Sequence, residues 1–298
     1  MFARVLAVIA AGLLAGAASG PNAALPAGPP AREFTAACEG KDGWADPAPP
    51  VRIFANVYHV GTCGITALLV ASGEGHILLD TGPVESADSV AANIRTLGFK
   101  LSDVKWIVTS HEHLDHVGGL ARLKALTGAQ VAATPLARVP LETGQPDWRD
   151  PQAGSIGGFA GVTVERVLRD GEHLRLGPLD LTAHTTTGHA PGSTSWTWRS
   201  CAGADCKAIA YVDSVSAVSS DTYKFSAQRV YVDAFARSLG KIASLPCDVL
   251  ITPHPGASAL HERIAGTRPL ADPDACLHYA EAGQAGLERR IQSEGARR

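Results

Sequence analysis

The chain has 298 residues, with 26 Lys+Arg against 29 Asp+Glu, a formal net charge of −3 and 45% hydrophobic residues. A near-neutral balance without a basic run argues against a nucleic-acid-binding surface, and the dense apolar periodicity excludes a disordered chain. Six cysteines and eleven histidines are the two counts out of line, both being many for a soluble protein.

Residues 1–24 read as a secretory signal: Arg4, then the apolar run Val5 to Leu14, then the small residues Ala15, Ala17 and Ser19 suited to cleavage. No run of eighteen apolar residues comes after it, so the mature chain is expected not to span a membrane. Export implies the periplasm and an oxidising compartment, where an even number of cysteines suggests disulfides rather than metal thiolates. Six cysteines allow fifteen pairings; sequence order suggests Cys38–Cys63, Cys201–Cys206 and Cys247–Cys276. None has the CxxC spacing of a zinc ribbon.

Residues 25–50 form an N-terminal extension with a Pro-rich start, and 51–298 are expected to form one domain. Strands are predicted at Val51–Val60, Gly64–Ser72, His76–Asp80 and Val104–Thr109, with a helix over Ser86–Leu97 whose apolar residues recur at helical spacing. A second helical period covers Val117–Leu126, and Gln130–Ala133 is a short strand. Further strands are predicted at Val162–Val167, Leu179–His184, Thr194–Trp198, Ala208–Val212 and Asp248–Thr252, and helices at Ala227–Ala243 and Pro273–Glu294. Strands with helices after them in both halves predict an α/β fold of two packed sheets covered by helices. The Gly-rich stretch 144–161 is a long connection of the kind that often carries function.

The chemistry concentrates after the strand Val104–Thr109, in Ser110-His111-Glu112-His113-Leu114-Asp115-His116. Three histidines and an aspartate within six residues are hard to explain as packing, because Asp is almost never buried unless paired. His111 and His113, two apart, diverge on a helix but can converge on one ion from an extended loop. Asp115 and His116 begin the next helix and can face a second ion, which leaves Glu112 pointing away toward solvent or structure. His189, in a Gly/Pro-rich turn, and His254, after the last strand, both stand where a strand hands over to a loop. Together these give five histidines and one aspartate, enough for two zinc ions with positions open to water. His184 is the strongest of the remaining histidines and fits a supporting or core role.

On the box His111-x-His113-x-Asp115-His116, with His189, His254 and the preceding Leu78-Leu79-Asp80-Thr81-Gly82, the sequence resembles the metallo-β-lactamase superfamily from about residue 50 to 260. That resemblance implies an αββα four-layer sandwich with metals at one edge. It is most similar to the third subclass of the class B β-lactamases, because Asp213-Ser214-Val215-Ser216 stands where the first subclass has a Cys ligand. The resemblance implies one zinc on His111, His113 and His189 and a second on Asp115, His116 and His254. It implies catalysis with Asp115 orienting the attacking water, and carboxylate recognition by Ser214 and Ser216, with Gln152 a further candidate. Asp80 is expected to fix the metal loop from behind. The implied activity is hydrolysis of the β-lactam amide of penicillins, cephalosporins and carbapenems, hence antibiotic resistance, by an exported monomer with a small-molecule substrate. Lactone and thioester hydrolases share the metal box and bridge their metals with an Asp near position 213, so Asp213 keeps that rival open. A secreted zinc-binding protein without catalysis is the other alternative.

Overall fold

The structure, a computed structural model, describes residues 25–296, and the segment read as a secretory signal lies outside them. Seven strands form a first sheet in sequence order: β1 (Val51–Phe54), β2 (Val57–His59), β3 (Leu68–Ser72), β4 (Gly75–Leu79), β5 (Val104–Val108), β6 (Gln130–Ala133) and β7 (Arg166–Val167). β1 to β4 pair antiparallel, and β4 to β7 run parallel. The second sheet holds β8 (His173–Leu176), β9 (Leu179–Thr185), β10 (Thr194–Ala202), β11 (Asp205–Tyr211) and β12 (Val249–Ile251), with β11 and β12 parallel. The helices are α1 (Ala31–Cys38), α2 (Ala87–Thr96), α3 (Leu114–Val117), α4 (Leu120–Thr127), α5 (Pro135–Thr143), α6 (Arg229–Ala243), α7 (Leu260–Ile264) and α8 (Ala275–Gly295).

The layering follows from side-chain alternation along strands that are apolar on both faces. Leu69, Leu78 and Ile107 turn outward onto Val90 and Ile94 of α2 and Leu120 and Leu123 of α4. Their neighbours Leu68, Val70, Ile77, Leu79 and Val108 turn inward and meet Leu181, Trp196, Ile209 and Ile251 of the second sheet. On that sheet Ala210 and Leu250 face the other way, onto Phe235, Leu239 and Ile242 of α6 and Leu287 of α8. Helix, sheet, sheet, helix is therefore the order of layers, the αββα sandwich.

Several boundaries differ from the sequence expectation. Val51–Val60 is not one strand but the hairpin β1–β2, which reverses at Ala55 with φ 45° and at Asn56, whose amide donates to Ala71 O at 2.9 Å. The strand expected from Gly64 begins only at Leu68, because residues 61–65 close a loop in which Thr62 N–H donates to Ile65 O. The expected helix Val117–Leu126 is two, α3 and α4, parted at Gly118 and Gly119. A Cβ on Gly118 would stand 2.6 Å from Val84 N, and one on Gly119 would stand 2.7 Å from Thr81 O, so this crossing needs both glycines. The strand expected over Val162–Val167 shrinks to β7, while α1, α5, α7 and β8 had no counterpart in the pattern.

The extension is no bare tether. Phe34 and Cys38 of α1 pack with Ala48, Val51 and Cys63, and the bridge Cys38–Cys63 ties α1 to the loop after β2. Cys201–Cys206 closes the β10–β11 hairpin, and Cys247–Cys276 joins the approach to β12 to the first turn of α8. No helix among the described residues is long and apolar enough to cross a membrane.

Candidate metal centre

The carboxyl ends of β4, β5, β11 and β12, together with the turn between β9 and β10, meet at one edge of the sandwich. Ser110 to His116 leave β5 there, His189 sits in the β9–β10 turn, Asp213 and Ser214 follow β11, and His254 follows β12. His111, His113 and His189 offer ring nitrogens within 4.8 Å of one another, and so do His111 and His116 with a carboxylate oxygen of Asp115. All five are buried. His254 completes the group: its Nε2 lies 3.2 Å from His116 Nε2 and 3.4 Å from Asp115 Oδ2.

Three of the imidazoles have one nitrogen hydrogen-bonded from behind, and a fourth, His116, has a carboxylate beside its outer nitrogen, which leaves the other nitrogen of each to face the centre. His111 Nδ1 is 2.8 Å from Asp213 Oδ1, and His113 Nε2 is 2.9 Å from Asp150 Oδ2. His189 Nδ1 lies 3.0 Å from Ser216 O, and His116 Nδ1 lies 3.3 Å from Asp80 Oδ2. Such outer partners fix ring orientation and tautomer in metal sites. Asp80 in turn anchors the loop: it accepts Ser110 N–H, the Ser110 hydroxyl and the Tyr211 hydroxyl, each at 2.6 Å.

The residues fit a divalent ion. His111 Nε2 is buried without a hydrogen-bond partner, and two ring nitrogens, of His116 and His254, face each other at 3.2 Å. Burial, then the neighbouring His116, His113 and His189, hold His111 well below the ordinary imidazole range. Burial and His113 lower His189 to about 3. Both rings therefore present lone pairs rather than protons at neutral pH, the form that binds metal. Burial also pushes the Asp213 carboxyl well above its usual range, and a cation across His111 is the charge that would draw it back. Imidazoles with one carboxylate are the donor set of zinc and similar divalent ions.

Glu112, expected to face solvent or structure, is buried. Its Oε1 accepts Gly192 N–H at 2.8 Å, tying the metal loop to the β9–β10 turn, and burial raises the carboxyl to about 8. His184 meets Thr197 Oγ1 at 2.7 Å on the sheet and takes no part in the centre. Gln152 is brought to the rim, with its side-chain nitrogen 3.4 Å from His189 Nε2. Ser214 and Ser216 border a cavity that His254 also lines. Two residues escaped the sequence reading: Asp150, fully inside beneath His113, and Trp44 of the extension, whose ring lies 6.5 Å from that of His254. The long 144–161 loop was the signal for Asp150; nothing in the pattern marked Trp44.

Asp213 bears on the open readings of the ligand set. A bridging carboxylate would stand on the metal-facing side of the imidazoles, but Asp213 is behind His111 on its Nδ1. Asp213→Asn is therefore expected to weaken divalent-metal binding about 10–100-fold and to leave the site able to fill. Metal titration of the purified variant checks this, and complete loss of binding would restore the bridging role.

Comparisons with known proteins show what the chain is similar to. The profile of the Metallo-beta-lactamase superfamily matches residues 60–201. The crystal structure of the metallo-β-lactamase MIM-1 from Novosphingobium pentaromativorans shares 48% identity with this chain, covers 89% of it and 98% of its own chain, and superposes with a TM-score of 0.87. The chain belongs to the metallo-β-lactamase superfamily. MEM-A1, a subclass B3 metallo-β-lactamase from a soil metagenome library, is 39% identical over 86% of this chain and all of its own, with a TM-score of 0.83. Curated relatives match only the shared segment. A probable metallo-hydrolase of Burkholderia pseudomallei is 30% identical over 146 residues, 45% of this chain and 48% of its own length. The chain thus spans about a third to a half of the length of the curated relatives it matches, whereas the similar solved structures are covered almost end to end.

Proposed function

We propose that this chain is a periplasmic di-zinc β-lactamase that hydrolyses the amide bond of β-lactams, with one catalytic domain over 51–298 preceded by the extension. The observation that carries the reading is the placement of Asp213 behind His111 while Ser214 and Ser216 open onto the space beside His254. Under it, His111, His113 and His189 hold one ion, and Asp115, His116 and His254 hold the other. Bound there, the ions would supply Lewis-acid polarisation of the carbonyl and a water of lowered pKa.

The chain's own residues supply the rest. Asp213, Asp150, Asp80 and Ser216 O fix the four buried imidazoles, so little reorganisation is needed when substrate arrives. Asp115 turns Oδ2 to His116 Nε2 at 3.1 Å and to His254, and its other oxygen, Oδ1, is the acceptor that orients the attacking water. The Ser214 hydroxyl and the side-chain amide of Gln152 hold the substrate carboxylate. Ser216 joins them, although its hydroxyl also lies 3.1 Å from His189 Nδ1, so it works on ligand and substrate at once. The three bridges and the residues before 25 support export, and the chain is read as a monomer acting on a small molecule.

The test is hydrolysis of a carbapenem by the purified protein, followed by ultraviolet absorbance, with and without a chelator and beside a homoserine-lactone control. Turnover of the carbapenem that chelation removes and zinc restores is the expected result. Activity on the lactone alone would sink the reading.

A further inference from the structure

The outer partners of the buried imidazoles stand on two kinds of backbone. Asp80 and Asp213 continue strands: Asp80 N–H donates to Val108 O at 2.9 Å, and Val212 N–H, just before Asp213, donates to Ile251 O at 2.9 Å. His116 is pinned as firmly, its carbonyl accepting the amide and the hydroxyl of Thr81, both at 2.9 Å. Asp150 and Ser216 O, which hold His113 and His189, lie instead on the irregular segments 144–161 and 214–224. Segments without ladder hydrogen bonds belong to the low end of local stability, so the side chains that hold them decide where they sit.

Those side chains come from the end of α8. Glu294 is buried, and it accepts Ser226 N–H at 2.8 Å on Oε2 and Phe225 N–H at 3.2 Å on Oε1. These two amides open a short 3₁₀ turn, Phe225–Ala227, and have no partner within it. Arg290 Nε donates to the same Oε1 at 2.8 Å, Nη2 donates to the Ser219 hydroxyl, and the guanidinium lies 6.0 Å from the centre of the Phe225 ring. Ser220 then latches the other segment: its N–H donates to Pro151 O at 2.8 Å. Pro151 follows Asp150 directly. One chain of contacts therefore runs from α8 through 219–226 to Asp150 beneath His113, and the same segment leads back to Ser216 behind His189.

Resting on the two-ion assignment proposed above, we infer that Arg290 and Glu294 are positioning residues for the ion on His111, His113 and His189, and not for the ion on Asp115, His116 and His254. Neither touches metal or substrate; each acts through the segment it holds. Two of the three imidazoles in the first set have their outer partner on backbone that α8 braces. In the second set, His116 is backed by Asp80 at the end of a strand, and Pro253 O, just before His254, accepts Thr66 N–H at 2.8 Å. Without Glu294, two amides and Arg290 lose their acceptor, and a buried donor left unpaired favours any shift that finds it a partner. The segment then moves, Ser220 carries Pro151 with it, and His113 and His189 lose the fixed orientation that outer partners give a metal ligand. The end of α8 thus sets the relative affinity of the two ion sites from outside the centre.

The experiment titrates metal-free protein with zinc in competition with a chromophoric chelator, and with cobalt followed by its visible absorbance. His189→Ala and His254→Ala identify the two steps, since each removes a ligand of one ion only. In Glu294→Ala and Arg290→Ala the step lost in His189→Ala is expected to weaken about tenfold, the lower end of the range for losing an outer partner, while the step lost in His254→Ala stays within about twofold of wild type. Glu294→Gln keeps one acceptor oxygen and is expected to lose less. Ser219→Ala, which removes only the hydroxyl between Arg290 and the segment, gives the same selective readout if Glu294→Ala does not fold. Equal weakening of both steps, or none, in folded variants would overturn the brace while leaving the two-ion assignment standing. A wild type that takes up a single ion would overturn that assignment and the inference with it.

Discussion

Asp115→Asn is expected to lower kcat/KM for every β-lactam substrate by about 10²–10⁴-fold, the range set by removing a positioned acid–base group. The substitution keeps the side chain's shape and removes its charge. Asp115 is buried at the start of α3, with Oδ2 facing the ring nitrogens of His116 and His254. Among the described residues it is the one anion on the metal-facing side of the ring cluster, because Asp80, Asp150 and Asp213 all stand behind imidazoles. Under the proposed mechanism, an amide there would weaken an ion held by His116 and His254 and would give the attacking water a poorer acceptor. The fold should hold, since the substitution is isosteric in a single-turn helix and none of the three main apolar clusters includes Asp115. Steady-state rates, zinc content by mass spectrometry and circular dichroism of the variant check all three points. Wild-type turnover in a fully folded Asp115→Asn protein would remove Asp115 from the mechanism.

Much of the centre was legible because ligand chemistry is local in sequence. The spacing of His111, His113, Asp115 and His116 already implies an extended loop running into a helix turn, and the chain folds that way. The layers were legible for a similar reason: strands such as Leu68–Ser72 and Gly75–Leu79 are apolar at consecutive positions, which only a sheet covered on both faces accommodates. What supports the ligands was harder to see. Asp150 is 37 residues from His113 in sequence, and an acidic residue in a Gly-rich loop has no period to announce that it is buried. Asp213 was visible as chemistry but not as geometry, since sequence does not say which side of an imidazole a carboxylate takes. The hairpin within Val51–Val60 was missed because Ala55 adopts a left-handed conformation usually left to Gly or Asn. Tertiary contacts with β3, among them Asn56 on Ala71 O, hold it there.

A second large effect is expected from Asp80→Ala, on stability rather than on rate alone. Asp80 is fully buried, and its carboxylate accepts three hydrogen bonds, from the Ser110 amide, the Ser110 hydroxyl and Tyr211, while His116 Nδ1 lies within 3.3 Å. Alanine would leave these buried donors without an acceptor. It would also place a residue with little tolerance for positive φ at a backbone φ of 59°. The combined loss is expected to be about 3–5 kcal/mol, the scale for breaking a buried charged network by removing one partner. In a chain of this size that corresponds to a fall in Tm on the order of 10 °C. Asp80→Asn separates the two contributions: asparagine accepts the left-handed conformation and keeps one acceptor oxygen, so its loss should be smaller, about 1–3 kcal/mol. Because Ser110 leads directly into His111, both variants should also bind zinc more weakly, with alanine the worse. Scanning calorimetry with and without added zinc measures both effects. An alanine variant melting within about 2 °C of wild type, well under the shift expected for a broken buried network, would show that the metal loop is held by something other than Asp80.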